Sequence, residues 1–310
     1  MKYLIVGAGA MGSALSAFLA KAGKDVTLVA RGGDNLAAVR ENGLRVRLPD
    51  GNSWVQPVPA VAESEYTDVP DVVVVCVKAY SLDSVVPLLD RISGPDTMIL
   101  PIINGLNVGD RIEGAMRSSA QIAEGVAYVA VQLTGAGEVT QKLDLFRFVL
   151  GARNGHEAPS HVGMVASDLR DAGMTVEVSS NMLRDALRKF VRVSTLSAAE
   201  VLYDAHAGGV RENPESMAYL MELAGELLAI AEAAGIPPLD GDPAGELRTA
   251  VNEVHPEYTT SLMLDHENGR RAEFESQFFD VVELGRSLGL PMDAYARVSQ
   301  KVGYVGGARG

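Results

Sequence analysis

The feature that most constrains the fold is a glycine turn close to the N-terminus. Residues 3–6 (YLIV) form a short apolar run, and GAGAMG follows at once at 7–12. The next segment, SALSAFLAKAGK, has apolar residues at helical spacing, and DVTLVAR at 25–31 is strand-like again. Strand, glycine turn, helix and strand in this order predict a βαβ unit, in which a helix joins two parallel strands.

The glycines of this turn have the spacing G-x-G-x-x-G. In such a turn the first glycine permits the tight bend, the second lets the backbone approach a pyrophosphate, and the third lets helix and strand pack closely. Amide groups at the helix start then face the phosphate charge. The position between a strand and a helix favours a dinucleotide site over a merely structural turn. The predicted cofactor-binding residues here are Gly7, Gly9, Ala10, Met11 and Gly12.

The end of the second strand indicates which dinucleotide binds. An acidic residue there would accept a hydrogen bond from the ribose 2′-hydroxyl of NAD. The sequence has Ala30 at that position, followed by Arg31, whose guanidinium can pair with a 2′-phosphate. The alternative for Arg31 is an exposed loop arginine without a ligand. We therefore expect NADP (NADPH), with Arg31 as a further cofactor-binding residue.

The rest of the N-terminal half continues the strand and helix alternation. β-Branched runs follow at about 44–48, 58–61, 72–77 and 97–102, with helical patterns between several of them. This alternation favours a mainly parallel sheet, with VVVVCV buried on both faces. GEVTQ and FRFVLG, within 134–155, are predicted to complete the sheet as antiparallel strands.

Beyond about residue 178 the pattern is helical and strand-like runs end. Apolar residues recur every three or four positions in 181–203, 213–235, 243–254, 274–288 and 292–302. Ser180 or Asn181 is expected to cap the first of these helices. The predicted fold class is α/β: an N-terminal Rossmann-type, doubly wound sheet (1–178, NADP-binding) and an all-helical C-terminal domain (179–310, substrate and catalysis).

Charge and cysteine content exclude several function classes. A formal net charge of −13 argues against a nucleic-acid or anionic-membrane partner. Cys76 is the only cysteine, so neither an intramolecular disulfide nor a cysteine-based metal site can form. The five histidines show no ligand spacing, and no metal is expected. Without a signal-peptide pattern or an apolar stretch of membrane-spanning length, the chain is predicted to be soluble and cytoplasmic.

Several motifs together resemble one enzyme family. GAGAMG at 7–12, VKAY at 77–80, ING at 103–105, the helix-borne Lys189 and TTSLMLDHENGRRAEFE at 259–275 resemble the ketopantoate reductases, also called 2-dehydropantoate 2-reductases. The match extends over nearly the whole chain in order and spacing. The resemblance implies a cleft between the two domains in which NADPH reduces a small-molecule 2-oxo acid. Ketopantoate, a precursor of pantothenate, is the leading substrate.

The resemblance also implies roles for individual residues. Lys189 is similar to the family's catalytic lysine, which hydrogen-bonds the substrate carbonyl and supplies the proton. Glu273 resembles the acid that orients substrate hydroxyls and supports that lysine. Ser261 matches the residue that holds the substrate carboxylate. Lys78 matches the lysine near the nicotinamide ribose, and Asn104 the asparagine beside the nicotinamide ring.

Each role has a simpler alternative. Lys189 could be an exposed helix lysine paired with Asp185. However, Arg184, Arg188 and Arg192 form the expected solvated stripe of that helix, and Lys189 lies about 100° from Arg188 on a largely uncharged face.

The other candidates have alternatives of the same kind. Glu273 could be a solvated charge and Ser261 a helix cap. Lys78 could be a strand-end lysine reaching solvent, and Asn104 an ordinary turn former. Asp265 is expected to be structural, bonding the backbone of its own turn.

Four positions depart from the family pattern and bear on the substrate. Val193 and Ser197 stand where asparagines are usual, Ile103 replaces a glutamine, and Tyr258 replaces a polar residue. These positions line the family's substrate pocket, so Val193 and Ser197 are predicted substrate-binding positions of altered chemistry. A different, more apolar 2-oxo acid or D-2-hydroxy acid stays open as a substrate. A non-catalytic NADP-sensing protein also stays open, and a homodimer through the helical domain is plausible.

Overall fold

The computed structural model of the chain describes residues 1–305, which divide into two compact units. The first unit contains residues 1–103 and 107–185, and the second contains residues 104–106 and those from 186 onward. The functional division predicted at residue 178, into a cofactor domain and a substrate domain, stays a prediction.

The first unit is a ten-stranded sheet with helices on both faces. Its elements are β1 (Lys2–Val6), α1 (Ala10–Lys21), β2 (Asp25–Ala30), α2 (Asp34–Asn42), β3 (Leu44–Arg47), β4 (Ser53–Gln56), β5 (Ala60–Ala62), β6 (Val72–Val75), α3 (Leu82–Ile92), β7 (Met98–Pro101), α4 (Val108–Ala115), β8 (Gln121–Gly135), β9 (Glu138–Ala152), α5 (Val162–Asp171) and β10 (Thr175–Ser179). The strand order is β4-β3-β9-β8-β7-β6-β1-β2-β5, and β10 pairs with β9.

The sheet is mainly parallel, as predicted. Only β3 with β4 and β8 with β9 pair antiparallel among these ten strands. Alternate residues of β1 enter different cores: Tyr3 and Ile5 join the core of α1 and α5, whereas Leu4 and Val6 join that of α3 and α4. The doubly wound arrangement is therefore confirmed, because each central strand is buried on both of its faces.

The antiparallel part of the sheet differs in detail from the prediction. GEVTQ and FRFVLG are successive parts of the single long strand β9, which forms a hairpin with β8. The pairing shifts register between Val129 and Val131, so the two runs lie on either side of an irregularity. Strands β4, β8 and β10 were not predicted from the sequence.

The second unit is all-helical, as predicted. Helix α6 (Met182–Tyr203) leads into α7 (Ala207–Glu212), α8 (Pro214–Ala233), α9 (Pro243–Glu253), α10 (Ser261–Glu267), a π-helical turn (Glu275–Phe279), α11 (Asp280–Ser287) and α12 (Asp293–Lys301). Asn181 is the residue that caps α6, since its side-chain oxygen accepts from the Arg184 amide at 3.1 Å. Helices α7 and α10 were not predicted. Within residues 1–305, no helix is both long and apolar enough to cross a membrane.

Candidate active site

The glycine turn lies between β1 and α1, and its geometry explains two of the glycines. Gly7 has φ of 110°, which L-amino acids with a side chain rarely adopt. A Cβ on Gly12 would stand 1.9 Å from the Gly7 carbonyl oxygen, so only glycine lets the first turn of α1 pack this close to the end of β1. A Cβ on Gly9 would meet nothing within 4 Å, which leaves the space above the turn open. This combination fits the close approach of a phosphate, with Gly9 at the helix N-cap.

Arg31 follows β2 directly and is exposed. Gly32 and Gly33 come next, with φ of 120° and 90°, and carry the chain into α2. Asn35, on the first turn of α2, donates from Nδ2 to the Ala8 carbonyl at 2.7 Å. Its Oδ1 accepts from the Gly137 amide at 2.7 Å, so Asn35 joins the glycine turn to the β8–β9 hairpin. Asn35 was not predicted from the sequence, where its position near Arg31 was the one available signal.

Lys78 follows the buried strand β6, on the same edge of the sheet as the glycine turn. The parallel register aligns Val6 with Val29 and with Val75, so the chain leaves β1, β2 and β6 at one edge. Lys78 is half-buried and precedes a short 3₁₀ turn at Ala79–Ser81. Ligands bind at this edge in sheets of this kind. The placement fits a cofactor contact, and that role stays a prediction.

Lys189 lies on α6 in the second unit, and its contacts differ from those of a solvated lysine. Its ammonium donates to Oδ1 of Asn104 at 2.8 Å. Asp185, the alternative partner, instead accepts from the Ser179 hydroxyl. Burial lowers the pKa of Lys189 to about 8, and the Glu273 carboxylate opposes that shift. A lysine of this kind can give up its proton near neutral pH.

The arginines of α6 are less uniformly solvated than predicted. Arg192 is exposed. Arg188 donates to the Asp240 backbone oxygen at 2.8 Å, and Arg184 is half-buried. These arginines therefore contact the segment at Asp240 as well as facing solvent.

Glu273 is buried, with 3% of its surface exposed, whereas its neighbours Arg271 and Glu275 are exposed. The alternative of a solvated charge is therefore wrong for this residue. Its backbone oxygen accepts from the Gln277 amide at 3.1 Å, at the start of the π-helical turn. Such turns are frequent at functional sites. The buried carboxylate lies close enough to Lys189 to raise the pKa of that lysine.

Ser261 is the first residue of α10 and is exposed. The alternative of Ser261 as the helix cap is wrong, because Thr260 caps α10 by accepting from the Met263 amide at 3.3 Å. Asp265, on the same helix, accepts from Arg270 Nε at 2.8 Å, while its backbone oxygen accepts from the Arg270 amide. Asp265 therefore stabilises the turn to Arg270 through its side chain as well as through its backbone.

The four departing positions have different surroundings. Val193 is half-buried, and Ser197 is fully buried with an Oγ that has no hydrogen-bond partner among residues 1–305. Ile103 belongs to the apolar core that contains α3 and α4. Tyr258 is half-buried, and its backbone oxygen accepts from the Ala207 amide at 3.0 Å. Of the four, only Ser197 presents an unsatisfied buried polar atom.

Two family descriptions together match most of the chain. Residues 3–155 match the family described as ketopantoate reductase PanE/ApbA, and residues 181–304 match its C-terminal counterpart. The chain belongs to the ketopantoate reductase family. It is accordingly an oxidoreductase of the type that acts on a CH–OH group, and the resemblance drawn from the sequence motifs is confirmed.

Individual family members align with nearly the whole chain. A 2-dehydropantoate 2-reductase of Mesorhizobium japonicum is 30% identical over an alignment 321 positions long, which covers 94% of this chain and 93% of that protein. The crystal structure of 2-dehydropantoate 2-reductase from Methylococcus capsulatus is 25% identical, with a TM-score of 0.85, over 97% of this chain and 96% of that one.

The same fold occurs in an enzyme named for another substrate. A ternary structure of D-mandelate dehydrogenase with NADH and anilino(oxo)acetate has a TM-score of 0.88 at 21% identity, and covers 97% of each chain. At this identity the likeness concerns the fold alone. A fold shared among different activities does not decide the substrate of this family member.

Two carboxyl groups of this family member, buried Glu200 and half-buried Glu124, were not predicted from the sequence. Glu200 on α6 is fully buried, and burial raises its pKa to about 7. Glu124 on β8 accepts from the Gly109 amide at 2.8 Å in the first turn of α4, and burial raises its pKa to about 7 as well. The only signal in the sequence was an acidic residue inside an apolar run, as in SAAEVLY. Among residues 1–305, no cluster of histidine, cysteine and acidic residues is suited to a metal ion.

Proposed function

We propose that the chain catalyses the NADPH-dependent reduction of a 2-oxo acid to a 2-hydroxy acid, with ketopantoate to pantoate as the leading reaction. The observation that carries this proposal is the hydrogen bond from Lys189 Nζ to Asn104 Oδ1 at 2.8 Å. An amide oxygen is an acceptor of the same kind as a ketone oxygen. The ammonium is therefore held at a place where it can bond a substrate carbonyl beside Asn104.

Lys189 is proposed to polarise the substrate carbonyl and to deliver the proton to its oxygen. Negative charge develops on that oxygen during reduction, and a positioned cation stabilises it. The pKa near 8 leaves the lysine mostly protonated at neutral pH and still acidic enough to donate. Glu273 is proposed to keep the ammonium charged and oriented, because its carboxylate is buried nearby.

The residues around the glycine turn fit a dinucleotide. The open space at Gly9 and the start of α1, which no side chain caps, suit a pyrophosphate. Arg31 suits a 2′-phosphate and supports NADPH over NADH. When bound, the nicotinamide supplies the hydride. The proposed contributions of the protein are binding, orientation and proton delivery.

The substrate is proposed to be bound by groups of the second unit. Ser261, exposed in the first turn of α10, is proposed to bond the substrate carboxylate through its hydroxyl. Ser197 Oγ is buried and has no hydrogen-bond partner among residues 1–305, and it is proposed to bond a substrate hydroxyl. Ketopantoate carries such a hydroxyl.

A second candidate is reduction of a more apolar 2-oxo acid, or oxidation of the corresponding D-2-hydroxy acid. Val193 favours it, because a half-buried valine cannot bond a hydroxyl, and an unpaired hydroxyl would cost roughly 1–3 kcal/mol. Val193→Asn separates the two candidates. If ketopantoate is the substrate, the variant lowers the KM for ketopantoate, and if it is an apolar oxo acid, the variant raises the KM for that acid.

The proposal is tested by recording NADPH oxidation with purified protein and a panel of 2-oxo acids that includes ketopantoate. Lys189→Ala should abolish turnover, and Lys142→Ala, which changes an exposed lysine of β9, should not. Failure of every oxo acid would contradict the reductase. NADP binding together with a dispensable Lys189 would favour the NADP-sensing protein. The homodimer stays a prediction that sedimentation of the purified chain can test.

A further inference from the structure

The strongest unexplained feature of the second unit is the buried carboxylate of Glu200. Its Oε2 accepts two hydrogen bonds from Thr260, one from the backbone amide at 3.0 Å and one from Oγ1 at 2.6 Å. Glu200 has no exposed surface. Burial of a charged carboxylate is costly unless hydrogen bonds replace the lost water. Thr260 supplies them to Oε2, whereas Oε1 has no hydrogen-bond partner among residues 1–305. The contact joins α6 to the segment ahead of α10, 60 positions along the chain.

Thr260 transmits this contact to the helix that follows it. The same hydroxyl that donates to Glu200 also accepts from the Met263 amide, and so caps α10. Its rotamer is therefore held from both sides, and its backbone amide is held as well. Ser261 is the next residue, so its backbone begins at a position that Glu200 restrains.

We propose that Glu200 is a positioning residue for the substrate carboxylate, acting through Thr260 on Ser261. This inference rests on the proposed function, in which Ser261 holds that carboxylate. Loss of the restraint lets the first turn of α10 shift or fray, and a shift of about 1 Å in a binding group weakens its contact with the ligand. The effect falls on substrate binding and leaves proton donation by Lys189 in place.

The proposal predicts a specific kinetic pattern. Glu200→Ala should raise the KM for the 2-oxo acid about tenfold, with kcat changed by less than about threefold, because ground-state binding is lost and chemistry is kept. The KM for NADPH should stay at its wild-type value. Glu200→Gln keeps an oxygen acceptor for Thr260, so its KM for the 2-oxo acid should stay close to the wild-type value.

Glu226 provides a matched control in the same unit. Its carboxylate accepts from the Ala294 and Tyr295 amides at 2.7 and 2.9 Å, and so holds the start of α12 as Glu200 holds that of α10. Glu226→Ala should lower the free energy of unfolding without changing the KM for the oxo acid. An equal rise of that KM in both variants overturns the proposal, since it would then reflect general loss of stability.

Hydrogen exchange gives a readout independent of activity. In Glu200→Ala, the amides of residues 260–264 should exchange faster than in wild type, while those of α12 stay protected. Unchanged exchange there overturns the proposal. If Glu200→Ala does not fold, Thr260→Val removes the same hydroxyl bond and should give the same KM pattern; a wild-type KM in that variant overturns it too. If the wild-type protein reduces no oxo acid, the proposed function is refuted. Hydrogen exchange of residues 260–264 in wild type and Glu200→Ala then still tests whether Glu200 restrains the start of α10.

Discussion

The Lys189 ammonium donates a 2.8 Å hydrogen bond to the side-chain oxygen of Asn104, 85 positions earlier in the chain. Both residues belong to the second compact unit, although Asn104 is surrounded in sequence by residues of the first. Residues 104–106 therefore contribute a hydrogen-bond acceptor for Lys189 to the helical unit. This pairing gives the lysine a fixed direction.

The first prediction concerns the pH dependence of reduction. Burial lowers the pKa of Lys189 from 10.5 to about 8, and the proton donor must carry its proton. Activity should therefore be constant below about pH 7 on account of this group and fall about tenfold per pH unit above about pH 9. The pH profile of kcat/KM for the oxo acid measures it. A profile that stays level up to pH 10 would contradict lysine as the donor.

The lowered pKa of Lys189 also makes the free energy of unfolding depend on pH. Between about pH 8 and 10.5 the unfolded chain binds the Lys189 proton more often than the folded chain does. This group therefore makes the free energy of unfolding rise with pH across that window. Lys189→Met should remove the contribution, which denaturant titrations of both proteins at several pH values would show.

The second prediction concerns Glu273. The buried carboxylate raises the pKa of Lys189 against the effect of burial, so Glu273→Gln should lower that pKa further. The alkaline limb of the kcat/KM profile should then move to lower pH. Glu275→Gln is the matched control, because Glu275 is exposed and bonds Arg271 at 3.1 Å. Equal shifts in both variants would mean that Glu273 acts only through the overall charge.

The third prediction separates two glycines of the turn. A Cβ on Gly12 collides with the Gly7 carbonyl, so Gly12→Ala should destabilise the fold by about 1–3 kcal/mol or more. Gly9 has φ of −77° and open space, so Gly9→Ala should fold normally and weaken NADPH binding. Thermal unfolding and a cofactor titration distinguish the two. Wild-type cofactor affinity in Gly9→Ala would argue against a phosphate at the turn.

The fourth prediction concerns cofactor choice. Loss of the guanidinium in Arg31→Ala should raise the KM for NADPH about tenfold or more, as expected for a charge-assisted bond, and leave the KM for NADH nearly unchanged. Arg117→Ala, at an exposed arginine of the same unit, should alter neither. A similar rise for both cofactors in Arg31→Ala would show that the residue does not recognise the 2′-phosphate.

Local sequence information is sufficient for some elements of this fold and not for others. The βαβ start was predictable because β1, α1 and β2 each have a clear hydrophobic period and a glycine turn between them. Strand β8 was not, since QIAEGVAYVAVQ mixes small, polar and apolar residues, and its conformation depends on pairing with β9. Helices α7 and α10 have only six and seven residues, too few for a periodic pattern to show.

The amino-acid sequence by itself determined the glycine turn, a cap for α6 at Ser180 or Asn181 and the motifs that place the chain in its family. Steric exclusion at Gly12 and capping of α6 act between residues close in the chain, so the local order of residues is enough to predict them. Only the tertiary structure decided that Lys189 meets Asn104, that Glu273 is buried and that Glu200 holds Thr260. Desolvation and hydrogen bonds between distant residues depend on how the helices pack, and this packing decides which charged groups of the sequence are withdrawn from water.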